Sequence, residues 1–281
     1  MADFSRTIAR LQGNFLGVFG AGHLGRAISS VLIRNGFPIC RLLVCHGGSP
    51  ETTALLAEAG LSAQVIRSDE LTRRSGIILY TVRPQHVNAI AHCELRNDAL
   101  IVSFLAGIPL ARIPVRLTQG NRFRVMTSAP DTIVEAGAIG AAYPAGDPVV
   151  AELLSALRIE QFFLNDEDEL HAFTALGVCL PIVLASWRGQ GRAVDDGELF
   201  KCARKHGLDN YQRILEWAHR AEPRFETVAA RDAYLRKAAT PGGVTEAMIG
   251  QIREGASIGE TLEMGIRRSR ELQSPSPTDA S

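Results

Sequence analysis

Residues 15–25 read Phe15-Leu16-Gly17-Val18-Phe19-Gly20-Ala21-Gly22-His23-Leu24-Gly25, a short apolar run leading directly into a Gly-x-Gly-x-x-Gly turn. In that pattern Gly20 lets the chain leave a strand in a tight turn, Gly22 offers no Cβ to block a pyrophosphate, and Gly25 allows the next helix to pack closely on a sheet. The helix that follows points unsatisfied N–H groups and the positive end of its dipole at the same place, which suits an anion.

Three spaced glycines alone are weak evidence, so the flanking sequence decides. Leu24, Ala27, Ile28, Val31 and Leu32 recur at helical spacing, Asn35-Gly36 supplies a stop, and a second apolar run follows at Ile39–Val44. Strand, glycine turn, helix and strand therefore succeed one another as a dinucleotide-binding unit requires. The simpler alternative is a glycine-rich turn in another α/β protein.

A chain of 281 residues suits one large or two ordinary domains. Thirty basic residues balance thirty acidic ones and form no basic block, which makes nucleic acid an unexpected partner. Cys40, Cys45, Cys93, Cys179 and Cys202 are odd in number, scattered, and include no C-x-x-C pair, so neither a disulfide frame nor a zinc knuckle is expected. Buried thiols in a reducing, cytoplasmic setting fit better. The N-terminal stretch with Asp3, Arg6 and Arg10 lacks a secretory core, and no apolar run reaches the ~18 residues of a membrane span.

Strand-like runs at Phe15–Phe19, Arg41–Cys45, Gln64–Ile66, Gly76–Val82 and Leu100–Phe104 alternate with helical stretches. The expected fold class is α/β, an N-terminal Rossmann-type doubly wound parallel sheet. Further runs at Arg122–Met126, Gly137–Ala142 and Gln161–Leu164 extend it, and from Glu167 the pattern turns all-helical. The expected division is 1–165 for the nucleotide domain, 166–272 for a helical domain, and 273–281 for a disordered tail. Asp166-Glu167-Asp168-Glu169 reads as a helix opening whose carboxylates oppose the dipole. No metal site is expected, since contiguous carboxylates usually form a solvated face.

NAD enzymes of this architecture usually carry Asp or Glu at the end of the second strand. Here Val44-Cys45-His46-Gly47-Gly48-Ser49-Pro50 has no carboxylate before Glu51. Donors at His46, Ser49 and Thr52 suit a 2′-phosphate, so NADP is favoured and NAD is the alternative; Arg67 or Arg26 would supply the missing arginine.

Further along, several segments together resemble the pyrroline-5-carboxylate reductase family. Val82-Arg83-Pro84-Gln85 is similar to its Val-Lys-Pro-Gln, and Ser103-Phe104-Leu105-Ala106-Gly107-Ile108 to its Ser-x-x-Ala-Gly-Ile. Arg124-Val125-Met126 with Pro130 and Gly137 matches the frame of Arg-x-Met-Pro-Asn-Thr-Pro-Ala. Thr174-Ala175-Leu176 with Pro181 sits where the family opens its first long C-terminal helix, and Thr240-Pro241-Gly242-Gly243-Val244-Thr245 resembles its Ser-Pro-Gly-Gly-Thr-Thr loop. The matches run in order over residues 14–272.

The resemblance implies an obligate dimer with interlocked helical domains, making 166–272 a dimerisation and substrate domain, and an active site formed between a nucleotide domain and helices shared across the pair. It implies cofactor contacts at Gly20, Gly22, His23, Leu24, Gly25, His46, Ser49, Val82, Arg83, Pro84, Ser103, Ala106 and Ser128, with His23 projecting outward. Thr245 and Thr240 are the expected catalytic residues, and Gly177, Cys179, Gly243, Val244 and Glu246 the expected substrate contacts.

The departures gather at the substrate end. Where the family's helix begins Ser-Gly-Ser-Gly-Pro-Ala-Tyr, this chain has Gly177-Val178-Cys179-Leu180-Pro181-Ile182-Val183, without either serine and with apolar bulk at Val178 and Leu180. A helix N-terminus there is expected to offer backbone N–H groups, but each lost donor to a buried carboxylate costs about 1–3 kcal/mol. Thr127-Ser128-Ala129 replaces Pro-Asn-Thr, with Ser128 expected to keep one hydrogen bond to the nicotinamide ribose. Glu246 is either a helix-start glutamate or a partner for a substrate amine.

The expected activity is NADPH-dependent hydride transfer to the C=N bond of a cyclic imine or imino acid, 1-pyrroline-5-carboxylate to proline among them. The alternative is a non-catalytic nucleotide-binding regulatory or partner protein on the same scaffold. A hydroxyacid-type dehydrogenase is disfavoured, because Lys201, Lys205 and Lys237 occupy no catalytic frame. None of the seven histidines forms an evident dyad, and Trp187, Trp217 and Tyr211 read as packing residues.

Overall fold

The alternation of apolar residues along the strand candidates has a direct structural consequence: successive side chains must enter two different cores. A computed structural model, describing residues 2–115, 121–239 and 241–273, shows this arrangement. The chain divides into two compact units at Asn165 and Asp166.

The first unit holds a seven-stranded sheet: β1 Phe15–Phe19, β2 Leu42–Cys45, β3 Ser75–Tyr80, β4 Leu100–Ser103, β5 Arg122–Thr127, β6 Ile139–Tyr143 and β7 Glu160–Phe163. Helices α1 Ser5–Leu11, α2 His23–Arg34, α3 Pro50–Glu58, α4 Ser68–Arg74, α5 Pro130–Val134 and α6 Pro148–Ala156 accompany it. Leu16, Val18, Leu42, Val44, Ile77 and Leu79 join Ile28, Val31 and Leu32 of α2 and Val150 and Leu153 of α6 in one core. Their neighbours Phe19, Leu43, Cys45, Ile78 and Tyr80 fill the other. A sheet buried on both faces explains why these strands are almost continuously apolar.

The strand order is β2-β1-β3-β4-β5-β6-β7. Two expectations need correction. Gln64–Ile66 is no strand: only Val65 bridges to Val44, with the Ile66 N–H donating to the Val44 carbonyl at 2.9 Å. That bridge lies outside β2, where the usual 3-2-1-4-5-6 order places its third strand. The sheet is also not wholly parallel, since β6 runs antiparallel to β5 before β7 returns parallel to β6. The connection from β5 carries only the five-residue α5, short of a full parallel crossover.

The second unit is helical: α7 Glu169–Phe173, α8 Leu180–Arg188, α9 Asp196–Lys205, α10 Tyr211–Ala221, α11 Val228–Ala238, α12 Val244–Arg253 and α13 Ile258–Glu271. Asp195, Thr227 and Ser257 cap α9, α11 and α13, the last with Glu260 as a full capping box. Trp187, Tyr211 and Trp217 are buried as packing residues, with Phe200 edge-on to Tyr211. Gly265 lets α12 and α13 approach closely, since a Cβ there would lie 2.9 Å from Met248 Cγ and 3.0 Å from Ala175 Cβ.

Among the described residues no single helix is long and apolar enough to cross a membrane. Of the expected tail at 273–281, Gln273 closes a turn after α13 and residues 274–281 lie outside the described residues.

Candidate functional site

Every expected cofactor residue falls in the first unit, at or just beyond the carboxyl ends of β1 to β5. This is the sheet edge where doubly wound folds receive ligands. Gly20 leaves β1 with φ 111°, a left-handed conformation that favours glycine. The Gly20 and Ala21 N–H groups donate to the Cys45 carbonyl at 3.1 and 2.9 Å, tying the turn to the end of β2.

The three glycines differ in what surrounds them. A Cβ on Gly20 would lie 2.7 Å from the Val82 nitrogen, and one on Gly25 would press on the Gly20 carbonyl and stand 2.9 Å from Thr81 Oγ1. A Cβ on Gly22, which opens α2, would meet nothing within 4 Å. Two glycines are thus required by the protein's own packing, while the third borders open space at a helix N-terminus. That is the cradle a pyrophosphate needs, and the residues present fit a dinucleotide.

Thr81 holds this arrangement together and escaped the sequence analysis. Its hydroxyl lies 2.8 Å from the Gly20 carbonyl oxygen and 3.3 Å from that of Phe19, as donor. The available signal was its place directly after β3, one residue before Val82-Arg83-Pro84. Tyr80 fixes the same corner from below, its hydroxyl donating to the Val87 carbonyl at 2.8 Å. Burial pushes that phenol far above its usual pKa, so it remains a donor.

Leu24 packs partly against the first core, whereas His23 is exposed as expected and lies 3.1 Å from Asp131 Oδ1 of α5. His46 accepts from the Gly48 N–H through Nδ1 at 3.1 Å, and Ser49 caps α3. Arg67 is engaged by Asp69 at 3.2 Å on the protein surface. Arg83 and Ala106 are exposed, Val82 and Pro84 half-buried, and Ser103 is buried, its Oγ 3.4 Å from the Leu105 nitrogen.

Ser128 departs from expectation. Thr132 Oγ1 donates to the Ala129 carbonyl at 2.6 Å, so the 2.7 Å contact between Ser128 and Thr132 uses the Ser128 proton. Ser128 Oγ also accepts from the Ile139 N–H at 3.1 Å. The hydroxyl proton and one of its lone pairs are therefore committed to α5 and β6, and a single lone pair remains.

The expected substrate residues all lie in the second unit. The predicted helix start at 177–181 is absent: α7 enters from Glu169 and passes through a π-helical turn, Thr174–Val178, into α8. The Cys179 N–H donates to Thr174 at 2.9 Å and the Val183 N–H to Cys179 at 3.2 Å. The helical path bends by 44° at this break. Pro181 lacks the N–H that Gly177 would otherwise receive, and a proline beside a π turn accounts for the bend. Gly177 is buried, and a Cβ there would lie 3.3 Å from Ile214 of α10.

Thr245 and Cys179 are brought together, the Thr245 hydroxyl donating to Cys179 Sγ at 3.2 Å. Burial pushes the Cys179 thiol up to about 11, so it stays neutral at physiological pH. Gly243 caps α12, and Val244 is buried. Glu246 is exposed and reaches back to accept from the Gly242 N–H at 2.7 Å, while Arg268 donates to the Gly242 carbonyl at 2.6 and 2.8 Å. The helix-start account of Glu246 is the one the geometry supports. Thr240 lies outside the described residues.

Two histidine pairings also went unnoticed in the sequence. Buried His171 hydrogen-bonds Ser269 through Nδ1 at 2.8 Å and Gln273 through Nε2. His206 Nε2 lies 3.1 Å from Glu263. Partners about a hundred or sixty residues away leave no local signal.

The sheet order and the glycine cradle define a nucleotide-binding unit of Rossmann type, followed in the chain by a helical second unit. The family described as NADP oxidoreductase coenzyme F420-dependent matches residues 15–107. Pyrroline-5-carboxylate reductase of Pisum sativum is 25% identical over 269 residues, covering 92% of this chain and 95% of that protein. Among solved structures, a pyrroline-5-carboxylate reductase from Coxiella burnetii superposes with TM-score 0.57 at 18% identity, over 94% of this chain and 100% of that one. A Plasmodium falciparum pyrroline carboxylate reductase with NADP bound gives TM-score 0.50 at 14% identity, over 93% and 98%. Over nearly its whole length the chain is thus similar to pyrroline-5-carboxylate reductases.

Proposed function

We propose that the protein is an NADPH-dependent reductase that delivers hydride to the C=N bond of a cyclic imine or imino acid, with 1-pyrroline-5-carboxylate among the candidates. The observation that carries this reading is the Gly22 cradle, held open between two glycines that packing requires, in a chain similar to such reductases over nearly its whole length. NADP is preferred because no carboxylate stands between Val44 and Glu51, and the Plasmodium relative is a structure with NADP bound.

When bound, the reduced nicotinamide supplies the hydride. The first turn of α2 receives the pyrophosphate, and the corner at Val82, Arg83 and Pro84 with the Ser103–Ala106 segment borders the nicotinamide. Thr245 donates its only proton to Cys179, which leaves oxygen lone pairs to accept from the N–H of a protonated imine. Such an imine is already electrophilic and keeps that proton as it becomes an amine, so no separate general acid is required. Val178, half-buried at the π turn, favours a substrate with more apolar surface than pyrroline-5-carboxylate, whereas Leu180 is taken up by the core.

A homodimer is part of the proposal. Val228 and Tyr234 on α11 expose 64% and 41% of their surface, apolar area that a second copy would cover.

A second reading, a nucleotide-binding regulatory protein without turnover, draws support from the Ser128 proton being committed inside the protein and from the missing serines at 177–183. NADPH consumption by purified protein, with pyrroline-5-carboxylate beside piperideine-type and other cyclic imines, separates the two. Turnover of any imine supports the reductase; NADPH binding with no turnover across the panel selects the regulator.

A further inference from the structure

A cluster apart from the expected cofactor and substrate residues joins α9 to α13. Cys202 and His206 stand four residues apart at the C-terminal end of α9, and Glu263 reaches them from α13. Glu263 Oε1 lies 3.9 Å from Cys202 Sγ and 3.1 Å from His206 Nε2, and the three donor atoms all fall within 4.8 Å of one another. The reduction proposed above uses none of them.

We propose that Cys202, His206 and Glu263 form a binding site for a thiophilic divalent cation, zinc by its donor set, which clips α9 to α13. Tetrahedral zinc with ordinary bond lengths sets its sulfur and oxygen ligands about 3.6 Å apart and its nitrogen and oxygen ligands about 3.4 Å apart. The observed 3.9 and 3.1 Å lie a few tenths of an ångström to either side, within reach of small rotamer adjustments. Three protein donors leave a fourth position for water. Cys202 is buried and the His206 side chain is 12% exposed, whereas that of Glu263 is 41% exposed and gives the ion an entry from solvent.

At present the Lys205 ammonium donates to Glu263 Oε1 at 2.6 Å. In the same state the protonated Cys202 thiol donates to that carboxylate at 3.9 Å, which would be an unfavourable neighbour for a thiolate. Burial and the Glu263 charge push the Cys202 thiol up to about 12. A dication reverses that relation: the S–H bond breaks, the proton leaves to solvent, and a sulfur–metal bond forms. Lys205, 64% exposed, swings outward as the cation replaces its charge.

The test is titration of the reduced full-length protein with zinc by calorimetry and with cobalt(II) by absorption. One zinc per chain, a thiolate-to-cobalt charge-transfer band and tetrahedral d–d absorption are expected. Cys202→Ser should abolish that band and weaken zinc binding on the order of 100-fold, and Lys205→Ala, which removes the competing ammonium, should tighten it. Because Cys202 is buried, Glu263→Gln offers a variant at a more exposed position, expected to weaken zinc at least about tenfold. No saturable cobalt band in the unaltered protein, a band that persists in Cys202→Ser, or zinc affinity unchanged in Glu263→Gln would each overturn the site.

Discussion

The glycine turn of the first unit and the π turn of the second treat their polar groups in opposite ways. At Gly22 the protein leaves space unfilled beside a helix N-terminus, so the α2 N–H groups have no partner that the fold itself must supply. Around Thr174–Cys179 the chain closes on itself: the backbone stays helical and Thr245 turns its proton onto Cys179. Cofactor recognition by backbone tolerates sequence drift, because N–H groups survive any substitution except proline. Recognition by side chains does not, and the segment at 177–183 is where this chain departs from the pattern of the reductases it resembles.

The largest effect should come from Gly25→Ala, whose Cβ would press on the Gly20 carbonyl and on Thr81. A loss of about 3 kcal/mol or more in unfolding free energy is expected by denaturant titration. Gly22→Asp should do the reverse. Stability should change by less than about 0.5 kcal/mol, while NADPH affinity falls at least about 100-fold, roughly 2.7 kcal/mol, in a fluorescence titration. Equal destabilisation by the two variants would erase the distinction between packing glycines and the cradle glycine.

Thr245→Val sharpens the other side. It should lower kcat/KM for a turned-over imine by about 10- to 100-fold, leaving the NADPH dissociation constant unchanged. Loss of NADPH affinity instead would show that Thr245 serves the fold or the nucleotide. Glu246→Ala should cost about 0.5–1 kcal/mol of stability through the Gly242 N–H it leaves unmet, with KM unaltered. A rise in KM would restore the substrate-amine account.

The smallest effect concerns pH. Hydrogen bonding and charge from Arg270 hold the Asp168 carboxyl below its usual range. A depressed folded-state pKa gives stability that is present above the unfolded value of about 4 and lost as pH falls through the lower folded value. The melting temperatures of wild type and Asp168→Asn should therefore differ slightly at neutral pH and converge in acid. Asp168 is 56% exposed, which limits the difference to a few tenths of a kcal/mol.

Local chemistry explains which features could be read without coordinates. A left-handed φ at Gly20, a helix stop at Asn35-Gly36 and the alternating strands of a doubly buried sheet each depend on a few adjacent residues. The run at Gln64–Ile66 misled because three apolar-leaning residues specify a strand only when an edge offers full pairing, and β2 accepts just Val65. The helix start expected at 177–181 failed for a related reason. Pro181 marks a helix beginning in many sequences, yet here it sits past a π turn in a helix already under way.

By itself, then, the sequence determined a dinucleotide-binding sheet, a helical second unit and a likeness to pyrroline-5-carboxylate reductases, because strand period, glycine sterics and motif order are encoded by neighbours in the chain. Tertiary structure alone decided where the hydroxyl and thiol protons point: Ser128 toward Thr132, Thr245 toward Cys179, and Cys202 toward Glu263. A donor takes whichever acceptor folding brings within reach, 3.2 Å for Thr245 and 3.9 Å for Cys202, and in both cases that acceptor lies some sixty residues away in the chain.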